Sequence, residues 1–399
     1  MNPEQQSPAL GRLYSIDVFR AVTMLLMIWV NDFWSLTDIP QWLQHATIDE
    51  DTLGFSDVIF PAFLFIVGLS IPFAIEKRRQ RSDTINTILL HVLSRTFALL
   101  VMGVYMVNLE SLSDDQMLIN KFWWQILMVA AFVLIWNDYP VLRMSNRTVF
   151  GLKFLGCVLL VFLAISYRGS GTDWMQRHWW GILGLIGWGY LICSVIFIFG
   201  KLHWSVMALC WAFFAGFNVV EAYGLLEPLS GVRSFIWIVG DGAIPALTMA
   251  GVFVSTLYLQ KFSGRNTSQF LWILVGLGLF ILAFGILLRP LGGISKIRST
   301  PSWTEICTAI SILSFAFLFW LVDQRGKKDW FGTIRPAGSA TLTCYLLPYF
   351  IYPIITIVGL HLPITLSTGL VGLAGAMIFA LVVVWLTGLL NRFQVMLRL

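Results

Sequence analysis

Apolar residues run in long uninterrupted blocks along this chain, and short polar segments separate them. Blocks of about 17–25 residues are long enough to cross a bilayer as helices. They fall near 16–36, 57–76, 84–109, 121–137, 148–166 and 181–199. Six more lie near 203–222, 235–259, 269–288, 303–322, 338–358 and 365–390. The blocks are too long and too evenly apolar for the ten-residue alternating strands of a membrane barrel. The pattern therefore predicts an all-α polytopic bundle of about twelve transmembrane helices, within a range of 10–12. It forms a single membrane domain over residues 1–399. The least separated pair is 181–222, where Gly200, Lys201 and Leu202 alone divide two blocks.

Composition sharpens the class. Of 399 residues 58% are hydrophobic and 12% charged, against roughly 25% charged in an ordinary soluble domain. A soluble protein could not hide that much apolar surface, so lipid is expected to be a partner along the spans. The 18 Trp and 31 Phe suit lipid-facing bulk and interfacial belts. The first residues are polar and the first apolar block is a full span, so no cleavable leader is expected.

The net charge of +5 does not point to a nucleic-acid partner, because Lys and Arg sit in the short loops. With a cytoplasmic N-terminus, basic residues favour the cytoplasmic side by more than two to one, including the run Lys77-Arg78-Arg79-Arg81. Both termini are then cytoplasmic. The loop at 37–54 faces outward, holds no Lys or Arg, and contains His45.

Polar groups inside spans are costly and so mark candidate chemistry. The first span carries Asp17 and Arg20 near its start and Asn31 and Asp32 near its outer end; Ser56-Asp57 opens the second. Asn31, His45 and Asp57 can converge at the outer face. Each also has a plainer role: Asp57 as a helix cap, Asn31 as interhelical glue, His45 as an ordinary loop residue. Asp17 and Arg20 are spaced for a salt bridge, and His91 and Arg95 share a face of the third span. Arg95 suits either a structural pair or an anion from the cytoplasm. The basic run after the second span is a topology determinant that can also meet phosphate, and Glu221 and Asp241 have no assigned role. The five cysteines form no CxxC pair, and no Walker loop, HExxH, GxSxG or metal-ligand set is present, so no metal site is expected.

The segment Arg12-Leu13-Tyr14-Ser15-Ile16-Asp17-Val18-Phe19-Arg20 resembles the opening "RLxSxDxFRG" of the heparan-α-glucosaminide N-acetyltransferase family, with Ala21 where the family often has Gly. Asn31 and His45-Ala46 match its next polar positions. Ser56 to Gly68 resembles its "ADLVFPxFxFIxG". Weaker matches are Gly242 to Ala246, and Leu321-Val322-Asp323 with Trp330-Phe331-Gly332, Pro336, Gly338 and Tyr345. Ala340 replaces a family Asn there.

The resemblance implies an acyltransferase that moves an acetyl group from cytoplasmic acetyl-CoA to an amino-sugar or glycan acceptor on the periplasmic side. It implies a multi-pass protein of a bacterial inner membrane, and family precedent adds a homodimer. His45 matches the catalytic histidine and Asn31 its companion. Asp57 is then placed to orient the imidazole, while Asp17, Arg20, His91 and Arg95 become candidates for holding acetyl-CoA. Direct transfer and an acetyl-histidine intermediate both stay open. The helices within 181–222 look like an extra hairpin. Bacterial members are also described as N-acetylglucosamine-related transporters, and a sugar transporter using the same polar spots is the alternative.

Overall fold

In lipid a chain must satisfy its backbone internally, and each of the twelve apolar blocks carries a helix. The computed structural model describes the chain except residues 1–12, 114–116, 140–143, 170–173, 201, 234–238, 265 and 361–362. The long helices are α1 (Tyr14–Asn31), α2 (Ser56–Gln80), α3 (Ile85–Asn108), α4 (Lys121–Trp136), α5 (Asn146–Ser166) and α6 (Ile182–Phe199). They continue as α7 (Trp204–Ala222), α8 (Ala243–Leu257), α9 (Thr267–Leu287), α10 (Pro301–Leu318), α11 (Thr341–Val358) and α12 (Gly369–Arg392).

With the π turns that prolong α8 and α10, 10 of the described helices are long and apolar enough to cross a membrane. The other two are α1, which carries Asp17 in its first turn, and the shorter α4 of 16 residues. Among the described residues, extended pairing is confined to isolated bridges. The architecture is the predicted helical one. The narrow gap after residue 199 is a true break: α6 stops at Phe199, Leu202 takes a left-handed φ of 60°, and α7 starts at Trp204. In the block expected from 235, whose residues 235–238 lie outside the described ones, the described helix starts at Ala243, and the Ala243 N–H is accepted by Asp241 Oδ1 at 3.0 Å. Asp241, unassigned from sequence, is thus a cap for α8. The five cysteines are free thiols.

Contacts divide the chain into two compact units. The first comprises Met1–Ile16, Leu64–Val92 and Gly189–Lys328. Every residue of α8 is buried in it, and Phe65, Tyr258, Phe270, Phe315 and Phe319 form an aromatic cluster beside that helix. Asn218 on α7 ties the helix ends together. Its amide donates to the carbonyls of Asp241 and Ser299 at 3.1 and 2.9 Å and accepts from the Thr304 hydroxyl at 3.1 Å. The basic run is engaged locally: Arg78 pairs with Asp83 at 3.1 Å, and Arg79 with Glu76 at 2.7 Å and the Ile198 carbonyl at 2.9 Å.

The motif residue Asp323 has a structural task in this unit. Its two carboxylate oxygens accept the N–H groups of Tyr14 and Ser15 at 2.9 and 3.2 Å, so it caps the start of α1 across more than three hundred residues. Removing such a cap costs about 1 kcal/mol. Asp323→Ala is expected to lower the melting temperature of the detergent-purified protein by about 2–4 °C. An unchanged melting curve would mean that water replaces the carboxylate at no cost.

The second unit comprises Asp17–Phe63, Leu93–Trp188 and Asp329–Leu399. Here α4 packs on α5 and on α11, and α11 on α12. At one end Arg20 reaches the Gly338 carbonyl at 3.4 Å, and the C-terminal strand-like tail is pinned through Leu397 N–H to Thr343 Oγ1 at 3.0 Å. At the other end Thr37 exchanges backbone hydrogen bonds with Ser367 and Gly369 at 3.0 and 2.8 Å, and the Trp29 indole donates to Leu373 O at 3.0 Å. These bonds make α1 and α11 run in the same direction, so the outer part of each arrives at one end of the unit.

Candidate functional site

Two arrangements occupy that end of the second unit. The first is the loop between α1 and α2. It leaves α1 through a short 3-10 turn at Phe33–Ser35, makes a second at Gln41–Leu43, and returns to α2 at Ser56. Four bonds hold it closed: Phe55 N–H to Trp42 O at 2.8 Å, Ser56 Oγ to Leu43 O at 2.6 Å, and the N–H groups of Ala46 and Gly54 to Asp57 Oδ2 at 3.0 and 3.2 Å. A side chain at Gly54 would put its Cβ 1.8 Å from the Gln44 carbonyl oxygen, so only glycine lets the loop pass there.

Asp57 Oδ1 meets His45 Nδ1 at 2.6 Å. The carboxylate is buried and the imidazole about half exposed, with side-chain accessibilities of 2% and 49%. A carboxylate only accepts, so Nδ1 is the donor of this contact, and in a neutral imidazole that leaves Nε2 as the nitrogen able to take a proton. Asp57 therefore fixes loop, tautomer and ring orientation at once, the arrangement of a base with its orienting acid.

The second arrangement is a cleft of about 500 Å³. Asn31 at the end of α1, Glu110 just beyond α3, Lys121 and Gln125 on α4, and Tyr345, Tyr349 and Tyr352 on α11 line it. Pro348 and Pro353 also line it from inside α11. Each proline removes an N–H and frees the carbonyl one turn earlier, those of Cys344 and Tyr349, which is tolerated in a membrane helix where other groups can meet them. Asp32, one residue past α1, is buried and accepts hydrogen bonds from the Tyr352 hydroxyl and, at 3.4 Å, from Ser35 Oγ.

The predicted residues thus divide. His45 and Asp57 meet directly. Asn31 is exposed at the cleft, and His45 is not part of that cleft's lining. Asp17 and Arg20 pair at 3.4 Å near the start of α1, about 21 and 16 Å respectively along the helix axis from Asn31 at 1.5 Å per residue. Arg95 is half-buried on α3 in the same unit, and half-buried His91 stands one turn earlier in the first unit's portion of that helix. Glu110, Lys121, Tyr349 and Tyr352 were not singled out from sequence. A usable signal was present in the 345, 349, 352 spacing, which puts three tyrosines on one helical face beside two prolines.

Fold and site together define a multi-pass helical membrane protein with a histidine–carboxylate pair and a polar cleft at one end of a helix bundle. The family comparison agrees with the sequence motifs: residues 12–183 match the model of the family described as heparan-alpha-glucosaminide N-acetyltransferase, catalytic. The matched stretch contains the motifs at Arg12–Arg20 and Ser56–Gly68, with His45 between them; Arg12 itself lies outside the described residues. The heparan-alpha-glucosaminide N-acetyltransferase of Mus musculus is 30% identical over 110 residues, and that of Homo sapiens 32% over 101 residues. These alignments cover 27% and 24% of this chain but only 15% and 14% of the mouse and human proteins.

Proposed function

We propose that the chain is a transmembrane acetyltransferase that carries an acetyl group from cytoplasmic acetyl-CoA to an amino-sugar acceptor at the opposite face of a bacterial inner membrane. The observation that carries the reading is the 2.6 Å contact between His45 Nδ1 and buried Asp57, within the stretch that matches the catalytic family model. CoA is multiply charged and cannot cross lipid, but a protein can hand its acetyl group through. Arg20 and Arg95 receive the phosphates in this reading, with Asp17 and His91 beside them, and the thioester reaches towards Asn31.

An acceptor that arrives as the ammonium first gives one proton to solvent. The neutral amine's lone pair then attacks the thioester carbonyl carbon while His45 Nε2 takes a second proton from that nitrogen, the carbon–sulfur bond breaks, and the departing sulfur leaves as the thiol with the proton His45 held. Free CoA and an N-acetylated sugar result. The transfer is direct, because one oriented base suffices for it. The Asn31 amide is the proposed donor to the developing oxyanion, a contact typically worth about 3–4 kcal/mol in acyl transfer.

The test uses purified full-length protein in detergent with radiolabelled acetyl-CoA and glucosamine. Label is expected in N-acetylglucosamine and, in the absence of acceptor, not on the protein. Protein-bound label would replace direct transfer with an acetyl-histidine route. Failure of the wild type to bind acetyl-CoA would overturn the enzyme reading, and sugar uptake into proteoliposomes would then be measured.

A further inference from the structure

The cleft has a chemistry of its own. Its volume of about 500 Å³ lies within the range of about 300–1,000 Å³ typical of small-molecule sites. One wall is aromatic: Tyr345, Tyr349 and Tyr352 share a face of α11, and Trp34 stands edge-on to Tyr352 with ring centroids 5.8 Å apart. The lining also holds polar groups, with Glu110, Lys121 and Gln125. Glu110 is exposed to the cleft, and among the described residues no hydrogen bond or ion pair holds its carboxylate.

We propose that this cleft is where the acceptor is recognised, Glu110 reading its ammonium group before the nitrogen passes to His45, an inference that rests on the acetyltransferase reading above. A pyranose presents apolar C–H faces and a rim of hydroxyls, and tyrosine rings with their hydroxyl tips suit both. Lys121 and Gln125, one turn apart on α4, offer N–H donors to ring hydroxyls. The carboxylate is what separates an amino sugar from a neutral one, since an ammonium makes a charge-assisted bond that a hydroxyl cannot match. The same contact explains release. Acetylation turns the ammonium into a neutral amide, and Glu110 then loses its charged partner. Asn31 lines this cleft too, so a sugar bound there lies against the residue proposed to meet the oxyanion.

The experiment is calorimetric titration of the detergent-purified chain with glucosamine, glucose, N-acetylglucosamine and glucuronate. Steady-state KM values are measured beside it for wild type, Glu110→Gln and Glu110→Asp. The wild type is expected to bind glucosamine at least tenfold more tightly than the two neutral sugars, by the strength of a charged hydrogen bond. Glu110→Gln is expected to weaken glucosamine about ten- to a hundredfold, abolish the preference, and leave the KM for acetyl-CoA unaltered. Glu110→Asp keeps the charge and should keep the preference. Equal binding of glucosamine and glucose by the wild type overturns the proposal. So does a preference that survives in Glu110→Gln, or tighter binding of glucuronate, which would make Lys121 the dominant charge. The two readings fail separately. Glu110-dependent glucosamine binding without acetyl transfer overturns the enzyme and keeps the cleft. Transfer with an unchanged glucosamine KM in Glu110→Gln overturns the cleft assignment and keeps the enzyme.

Discussion

Replacing His45 by alanine is expected to lower the rate of acetyl transfer by about a thousandfold, within the range that a positioned general base supplies, while acetyl-CoA binding persists. The expectation follows from geometry. Asp57 has spent Oδ2 on the N–H groups of Ala46 and Gly54 and has Oδ1 for the imidazole at 2.6 Å. With Nδ1 holding the proton, Nε2 is the group able to take one. Asp57→Asn separates orientation from proton transfer. An asparagine amide placed towards the ring would favour the opposite tautomer, and placed towards the loop it would face two N–H donors. The rate should fall about a hundredfold or more, together with the melting temperature. A His45→Ala enzyme that turns over at the wild-type rate would move the chemistry away from this loop. Transfer lost together with acetyl-CoA binding would make His45 a structural residue.

The helical segments were legible because lipid demands length and apolarity, and both are properties of contiguous residues. The loop geometry was half legible. Residues 45 and 57 lie in adjacent stretches, so convergence was available, but the sequence could not say that Asp57 both caps the turn and meets the ring. Its two oxygens divide the tasks that sequence reasoning had set as alternatives. The Asp17–Arg20 pair was readable as an i, i+3 contact and is found at 3.4 Å. The cleft was not legible. Glu110 and Tyr352 are far apart in the chain, and hydropathy registers how apolar α11 is without registering where its tyrosines face. Asp323 was singled out as a motif residue, yet its partners are the backbone N–H groups of Tyr14 and Ser15, which carry no side-chain signal at all.

Gly251→Val is expected to prevent recovery of folded, monodisperse protein, and Gly68→Val to do the same. In the first unit these glycines let α2 and α8 touch backbone to backbone. A Cβ at Gly68 would lie 1.9 Å from the Thr248 carbonyl oxygen, and one at Gly251 would lie 2.0 Å from that of Phe65. Carbon and oxygen in favourable contact stand about 3.3–3.6 Å apart, so the helices would have to separate by more than an ångström along a fully buried face. The obstructing atoms are backbone carbonyls, which cannot turn aside as a side chain end can. Overpacking a core ordinarily costs about 1–3 kcal/mol, and this site belongs at or above the top of that range. Close helix approach through small residues is the main way membrane helices gain contact, since lipid already satisfies their apolar surface. Gly216→Ala provides the control: it sits on α7 with no heavy atom within 4 Å of the added Cβ, and should melt at or slightly above the wild-type temperature by the helix propensity of alanine. If Gly251→Val folds and melts with Gly216→Ala, the α2–α8 contact is looser than these distances require. Gly68 closes the motif that resembles the acetyltransferase family, so its loss of fold would mark that position as one kept for packing, and would leave the chemistry to His45 and Asp57.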